Sequence, residues 1–148
     1  MRNEQYDLDI DDASITFEFI SEGPKGNIKK RVMYQRIKDT HTYNLAFGDV
    51  DAATNKLDDK IVSNNNDTEK VLTTVASTVY IFIKKYPRAT ILARGSTSSR
   101  TRLYQIGIST HLEELTKQFD VYGFLENIGW TEYEKNKNYL AFAIKKSD

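Results

Sequence analysis

The opening third of the chain alternates apolar and polar residues with the period of two that β-strands show. Residues 15–22 place Phe17 and Phe19 on one side of a predicted strand. A Gly-Pro-Lys-Gly turn follows, and residues 28–37 resume the pattern as a second strand, so the sequence predicts a β-hairpin. Residues 43–48 predict a third strand.

After a polar loop, in which residues 60–62 are a candidate short strand, the apolar spacing becomes helical. Apolar residues between positions 71 and 86 recur three and four apart, which predicts an amphipathic helix. Asn66 and Glu69 have the form of a capping box at its start. Pro87 lies just beyond the last periodic residue and ends the helix.

The second half of the chain predicts one buried strand, a second helix and two closing strands. The apolar run at residues 90–93 is typical of a buried strand, and helical spacing returns between residues 98 and 118. An aromatic tail follows, which is interrupted by Gly129 and by an Asn-Lys-Asn segment. Its residues 129–135 and 138–145 predict a closing hairpin.

The predicted element order is therefore β-β-β-α-β-α-β-β, in a single domain over residues 1–148. Strands cluster at both ends of this order, with the helices between them, which is typical of an α+β fold. We expect an antiparallel-rich sheet with the two helices packed on one face. Val75 and Leu112, one from each predicted helix, should then be largely buried.

Composition and charge exclude some classes of protein. At 148 residues the chain can bury a core, and without cysteine it has neither disulfides nor thiolate metal sites. It shows no signal-peptide pattern and no apolar run of membrane-spanning length, so the expected location is the cytoplasm, with no membrane partner. The 21 basic and 21 acidic residues balance, so any nucleic-acid surface must be a local basic patch.

The segment from Gly95 to Tyr104 is the strongest candidate for a binding site. The predicted strand stops at a glycine, hydroxyl residues follow, and a helix begins, so that backbone N–H groups suit an anion. Arginine binds phosphate and carboxylate in a fixed fork. The alternative is an ordinary serine or threonine helix cap with arginines paired to surface carboxylates. The candidate ligand-binding residues here are Gly95, Ser96, Thr97, Ser98, Arg100, Arg102 and Tyr104.

A second group of candidate ligand-binding residues, Lys29, Lys30 and Arg31, follows the Gly-Pro-Lys-Gly turn. A basic hairpin could reach along a phosphate backbone, and tyrosines beside basic residues could stack on bases. Solvated charge on the hairpin and aromatic packing in a strand-rich core explain the same residues without a ligand. The sequence thus predicts binding of nucleic acid or another phosphorylated ligand.

Two other classes of function stay open on the sequence. An enzyme acting on a small phosphorylated or nucleotide substrate could use the same turn, with a metal ion on Asp49 and Asp51, or with His41 or His111 as a base. A protein-interaction module could dock a protein partner through the aromatic tail. The sequence leaves the catalytic residues unassigned, and it predicts no resident metal and no cofactor.

Four sequence blocks carry a resemblance that extends over nearly the whole chain. In this order they resemble a family of small uncharacterised bacterial proteins, a domain of unknown function. The resemblance implies one compact domain and no established activity, so it assigns no site residue. The blocks are Ser21–Gly26, Tyr43–Asp49, Val62–Asn65, and Gly95–Thr97 with Arg100–Gln105.

Overall fold

The computed structural model describes residues 4–58 and 63–148. Those residues form one sheet of nine strands together with three helices. In chain order the elements are β1 Asp9–Ile10, β2 Thr16–Gly23, β3 Gly26–Arg36, β4 Thr42–Val50, β5 Leu57–Asp58, α1 Thr68–Lys85, β6 Thr90–Ala93, α2 Ser98–Thr110, α3 Leu112–Leu115, β7 Phe119–Leu125, β8 Gly129–Glu132 and β9 Ala141–Lys146.

Strands β2 and β3 form the predicted hairpin, which a two-residue loop closes. Gly23 pairs with Gly26 across that loop. Gly26 has a φ of +88°, in the left-handed region that glycine adopts at least cost. Phe17 and Phe19 are buried, whereas Ile20 on the opposite face is 43% exposed. The period of two therefore identified the face of β2 that packs against the core.

The sheet has the strand order β1-β2-β3-β4-β6-β9-β7-β8, with β5 paired to β4 beside this path. Among the described strands, every pairing is antiparallel except that of β4 with β6. Helix α1 lies in the connection between those two strands, because parallel neighbours need a long crossover. The carboxyl ends of β4 and β6 consequently meet at one edge of the sheet, where the chain turns into α2.

Both long helices pack on one face of the sheet, and the predicted α+β fold is confirmed. Phe82 of α1 stacks on Tyr34 of β3 with ring centroids 4.1 Å apart. The Tyr34 hydroxyl forms a hydrogen bond of 2.8 Å with that of Thr78, one turn earlier in α1. Tyr104 and Ile108 of α2 lie in the same buried cluster. The aromatic residues of the strands therefore fill the space between sheet and helices.

The helix predicted over residues 98–118 is divided in the structure. Helix α2 ends at Thr110, and Leu112 opens the one-turn helix α3. Val75 is buried as expected, whereas Leu112 is partly buried and packs at the margin of the core. In the part of the chain that the structure describes, no helix is both long and apolar enough to cross a membrane.

The predicted closing hairpin is wrong in its pairing. Strand β8 pairs with β7, a strand that was not predicted from the sequence, and β9 lies between β7 and β6. Ile144 of β9 is thus flanked by Ile91 and Val121. The strand β7 was not predicted because Gly123 stands at an inward-facing position, where the alternating pattern of a strand needs an apolar residue. A Cβ at Gly123 would lie 2.2 Å from the Tyr139 ring, which fills that position instead.

The start of α1 also differs from the predicted capping box. The N-cap residue is Asp67, and Asn66 precedes it with a φ of +60°. The Asp67 carboxylate accepts hydrogen bonds from the hydroxyls of Tyr6 and Ser21, so it ties β2 to the helix start and makes no cap bond of its own. The candidate strand at residues 60–62 lies outside the described residues.

Candidate functional site

The chain turns from β6 into α2 at a compact junction, as the sequence predicted. Thr97 is the N-cap residue, and its hydroxyl accepts a hydrogen bond of 3.2 Å from the Arg100 backbone N–H. The Gly95 N–H donates to the Thr101 hydroxyl at 3.1 Å. A Cβ at Gly95 would lie 2.3 Å from the Thr101 nitrogen. Glycine is therefore required for the first turn of α2 to close against the end of the strand.

An open groove of about 1050 Å³ adjoins this junction. Residues Gly95–Ser99 form one end, and the exposed side of α2 forms a wall. The facing wall comes from the β8–β9 connection and from the β7–β8 hairpin. Gln105 joins the two walls, because its side chain donates to the Lys137 carbonyl and accepts from the Tyr139 N–H. The groove thus lies between segments that hydrogen bonds hold together.

The described charged side chains that line the groove are all positive. Arg94 and Arg102 are both exposed and line it, and no aspartate or glutamate is found among its described lining residues. Within residues 4–58 and 63–148, neither arginine has a carboxylate within 4.0 Å. The other polar side chains that line the groove are hydroxyls and amides. A chain with zero net charge therefore concentrates positive charge here.

Exposed apolar side chains also line the groove. Trp130 is 47% exposed, Leu140 48% and Ile106 42%. Trp130 packs edge to face on Phe124, its partner across the β7–β8 hairpin, with ring centroids 5.3 Å apart. The groove therefore offers an aromatic surface within the same space as the two arginines.

Two predicted ligand-binding residues of this segment do not face the groove. Arg100 is 1% exposed, and its guanidinium lies over the Phe47 ring and donates a hydrogen bond to the Phe47 carbonyl. Tyr104 is 8% exposed and belongs to the core. Both point inward because α2 buries one face against the sheet. Gly95, Ser96, Thr97, Ser98 and Arg102 line the groove, and their role in ligand binding stays a prediction.

The basic residues of β3 are also remote from the groove. Lys30 is buried, and its ammonium group lies 2.6 Å from Asp49 and 2.7 Å from the Ser63 hydroxyl. Lys29 and Arg31 both pair with Glu18, at 3.2 and 2.6 Å. None of these three residues lines the groove. The structure therefore assigns Lys29, Lys30 and Arg31 to ion pairs that hold the β2–β3–β4 region.

The residues considered for catalysis are dispersed. His111 is buried at the end of α2 against the Thr73 hydroxyl, and burial lowers the pKa of its imidazole. The Asp51 carboxylate accepts hydrogen bonds from backbone N–H groups of its own turn, which lower its pKa. His41 is exposed and does not line the groove. In the described residues, no three histidine, aspartate or glutamate side chains gather as a metal-binding group.

Arg94 and Trp130 are among the groove residues that were not predicted as site residues from the sequence. A signal for Arg94 was present in the alternation of β6. Ile91 and Ala93 are buried, so every second residue, including Arg94, points away from the core. Trp130 carried no such signal, because its position depends on the pairing of β8 with β7.

The fold and site together define an α+β domain with an open, positively charged groove beside a strand-to-helix junction. The chain belongs to a family of unknown function, DUF6934, whose model matches residues 2–147. Neither a curated protein nor a solved structure matches it. The family has no assigned activity.

Proposed function

We propose that this protein is a binding module whose groove takes nucleic acid through its phosphate backbone. The observation that carries the proposal is the pair of exposed arginines, Arg94 and Arg102, in a groove whose described lining has no carboxylate. Arginine holds a phosphate with parallel N–H donors. Because neither arginine has a carboxylate partner in the described residues, binding a phosphate would not first require breaking an ion pair.

The surroundings of the arginines suit the same kind of ligand. Hydroxyl groups of Ser96 and Ser98 lie in the groove at the amino end of α2, where the helix dipole is positive. Hydroxyl side chains commonly contact phosphate and sugar oxygens, so they position a backbone without selecting a sequence. The groove is open and lies between two walls, which fits a chain-like ligand that passes through it.

The enzyme alternative finds less support. The groove contains neither histidine nor the carboxylates Asp49 and Asp51. Asp49 is instead paired with Lys30. A general base within reach of a bound phosphate ester is what this alternative requires, and the described groove residues supply none.

A protein partner is the second candidate, and the exposed apolar residues of the groove favour it. Ile106, Leu140 and Trp130 together could anchor a peptide. The charge of the groove would then select an acidic peptide.

The test is binding of fluorescently labelled oligonucleotides at several salt concentrations. We expect binding at low salt that weakens steeply as salt rises, because phosphate contacts release counterions. The double variant Arg94→Ala/Arg102→Ala should bind more weakly. Its slope of log K against log salt should be shallower by about 1.4 for single strands, at about 0.7 for each lost phosphate contact.

A charge-matched control is Lys38→Ala/Lys84→Ala, which removes two exposed lysines that do not line the groove. Its salt slope should equal that of the unmodified protein. Absence of binding at low salt, or an equal effect of the two double variants, would overturn the proposal.

A further inference from the structure

Trp130 is the chain's one tryptophan; about half of its surface is exposed, and it lines the groove. We propose that an unpaired base stacks on Trp130 while the phosphates contact Arg94 and Arg102. The groove then prefers single-stranded nucleic acid to duplex. This inference rests on the proposed function and specifies its ligand.

The hairpin that carries Trp130 holds the indole in a defined place. Strand β8 is paired to β7, with Gly129 opposite Leu125 and Trp130 opposite Phe124. The turn between them contains Asn127, and Gly129 follows as the first residue of β8; both have positive φ. Phe124 packs against the indole at 71° between ring planes. One side of Trp130 is thus supported by the protein, and its exposed surface is available to a flat ligand.

The position of the arginines distinguishes a base from other flat or apolar ligands. Stacking on an aromatic ring together with arginine contacts to the backbone is how proteins hold single strands without reading their sequence. An apolar peptide would bury Trp130 but leave Arg94 and Arg102 desolvated without a partner. A nucleotide chain satisfies both, because each base is joined to a phosphate.

The preference for single strands follows from access to the base. In a duplex the bases are stacked and paired, so their faces are closed to a side chain from outside. The arginines can still contact the phosphates of a duplex. We therefore expect both forms to bind with salt dependence and the single strand alone to engage Trp130.

The experiment uses the intrinsic fluorescence of Trp130 and matched single-stranded and duplex oligonucleotides. The single strand should quench the tryptophan emission, and the duplex should not. Trp130→Ala should weaken binding of the single strand about tenfold or more, which corresponds to loss of one stacked base. Duplex binding should be unchanged, and Trp130→Phe should retain most of the affinity for the single strand.

Ile128→Ala is the control, because Ile128 is 71% exposed in the same hairpin and does not line the groove. It should bind both forms normally. Equal affinity for the two forms, or a normal affinity of Trp130→Ala for the single strand, would overturn the stacking proposal. If Arg94→Ala/Arg102→Ala still lost salt-dependent binding of nucleic acid, the proposed function would stand and only the stacking on Trp130 would be rejected. A third outcome is that the unmodified protein binds an acidic peptide but no nucleic acid, and that Trp130→Ala loses the peptide. That result would overturn both proposals in favour of a protein partner.

Discussion

The guanidinium of Arg100 lies over the ring of Phe47, with Cζ 4.9 Å from the ring centroid, and donates a hydrogen bond to that residue's backbone carbonyl. This contact joins the first turn of α2 to the end of β4. Arg102, two residues later, is exposed on the other side of the helix and lines the groove. Two neighbouring arginines of one helix therefore have different roles, one in the fold and one in the proposed site.

Arg100→Ala should lower the free energy of unfolding by about 2–4 kcal/mol. The variant deprives the Phe47 carbonyl of a donor and empties the volume of a large buried side chain. Arg102→Ala should change the same quantity by about 0.5 kcal/mol or less, since the residue is exposed. Chemical denaturation of the two variants measures both. Equal losses would mean that Arg102 also supports the fold.

The two adjacent lysines of β3 should differ in the same way. Lys30 is 3% exposed and pairs with Asp49, so Lys30→Ala leaves a poorly solvated carboxylate and should cost about 3–5 kcal/mol. Lys29 has 44% of its side chain exposed in its pair with Glu18, and Lys29→Ala should cost about 1 kcal/mol or less. Denaturation midpoints test this. The double variant Lys30→Met/Asp49→Asn should recover part of the loss, and failure to do so would show that the charge pair is not its cause.

Stability should fall on mild acidification because of His111. Burial is the largest effect on its pKa and lowers it, while the nearby Glu69 opposes this. The unfolded chain therefore binds a proton at a higher pH than the folded chain does. The contribution is complete above about pH 6.5, the ordinary value, and is lost as the pH falls toward the lowered one. His111→Gln should flatten melting temperature against pH in this window. His41→Gln, at an exposed histidine, should leave the dependence in place, and the opposite result would assign it to His41.

Two glycines should respond oppositely to alanine. A Cβ at Gly123 would lie 2.2 Å from the Tyr139 ring, so Gly123→Ala should destabilise by about 1–3 kcal/mol or more. A Cβ at Gly107 would meet Leu72 at 3.4 Å in ordinary contact, and Gly107→Ala should stabilise α2 by about 0.5–1 kcal/mol. Thermal unfolding of both proteins measures the signs. If Gly107→Ala were destabilised instead, Leu72 of α1 could not move enough to accommodate the added methyl group on α2.

The local parts of the fold could be predicted from the sequence, because period and turn residues act over a few positions. The β2–β3 hairpin, the strand at residues 90–93 and the start of α2 are all of this kind. The pairing partners of β7, β8 and β9 could not be predicted, because the connection between β8 and β9 is long enough to allow several pairings. The prediction of β7 was made harder by Gly123, which occupies a buried position where a strand usually has an apolar side chain.

The site was predictable in part for the same reason. The junction from Gly95 to Ser98 follows from a strand end, a glycine and a threonine cap. The inward direction of Arg100 could also have been found, because it is spaced by fours with Tyr104 and Ile108, which are both buried. The groove itself needs the β7–β8 hairpin beside α2, and that juxtaposition depends on strand pairing far along the chain.

Strand β9 comes last among the strands in the chain, yet it lies between β6 and β7. During synthesis the β2–β3–β4 strands can pair as soon as they emerge, because their contacts are short in sequence. The β7–β8 hairpin has no described strand pairing that links it to the rest of the sheet until residues 141–146 follow. A ribosome stalled before residue 141 would therefore carry a nascent chain with two unjoined β segments and open strand edges, which are the features that recruit chaperones and favour aggregation. We therefore expect closure of the sheet during synthesis to be a late event that waits for β9.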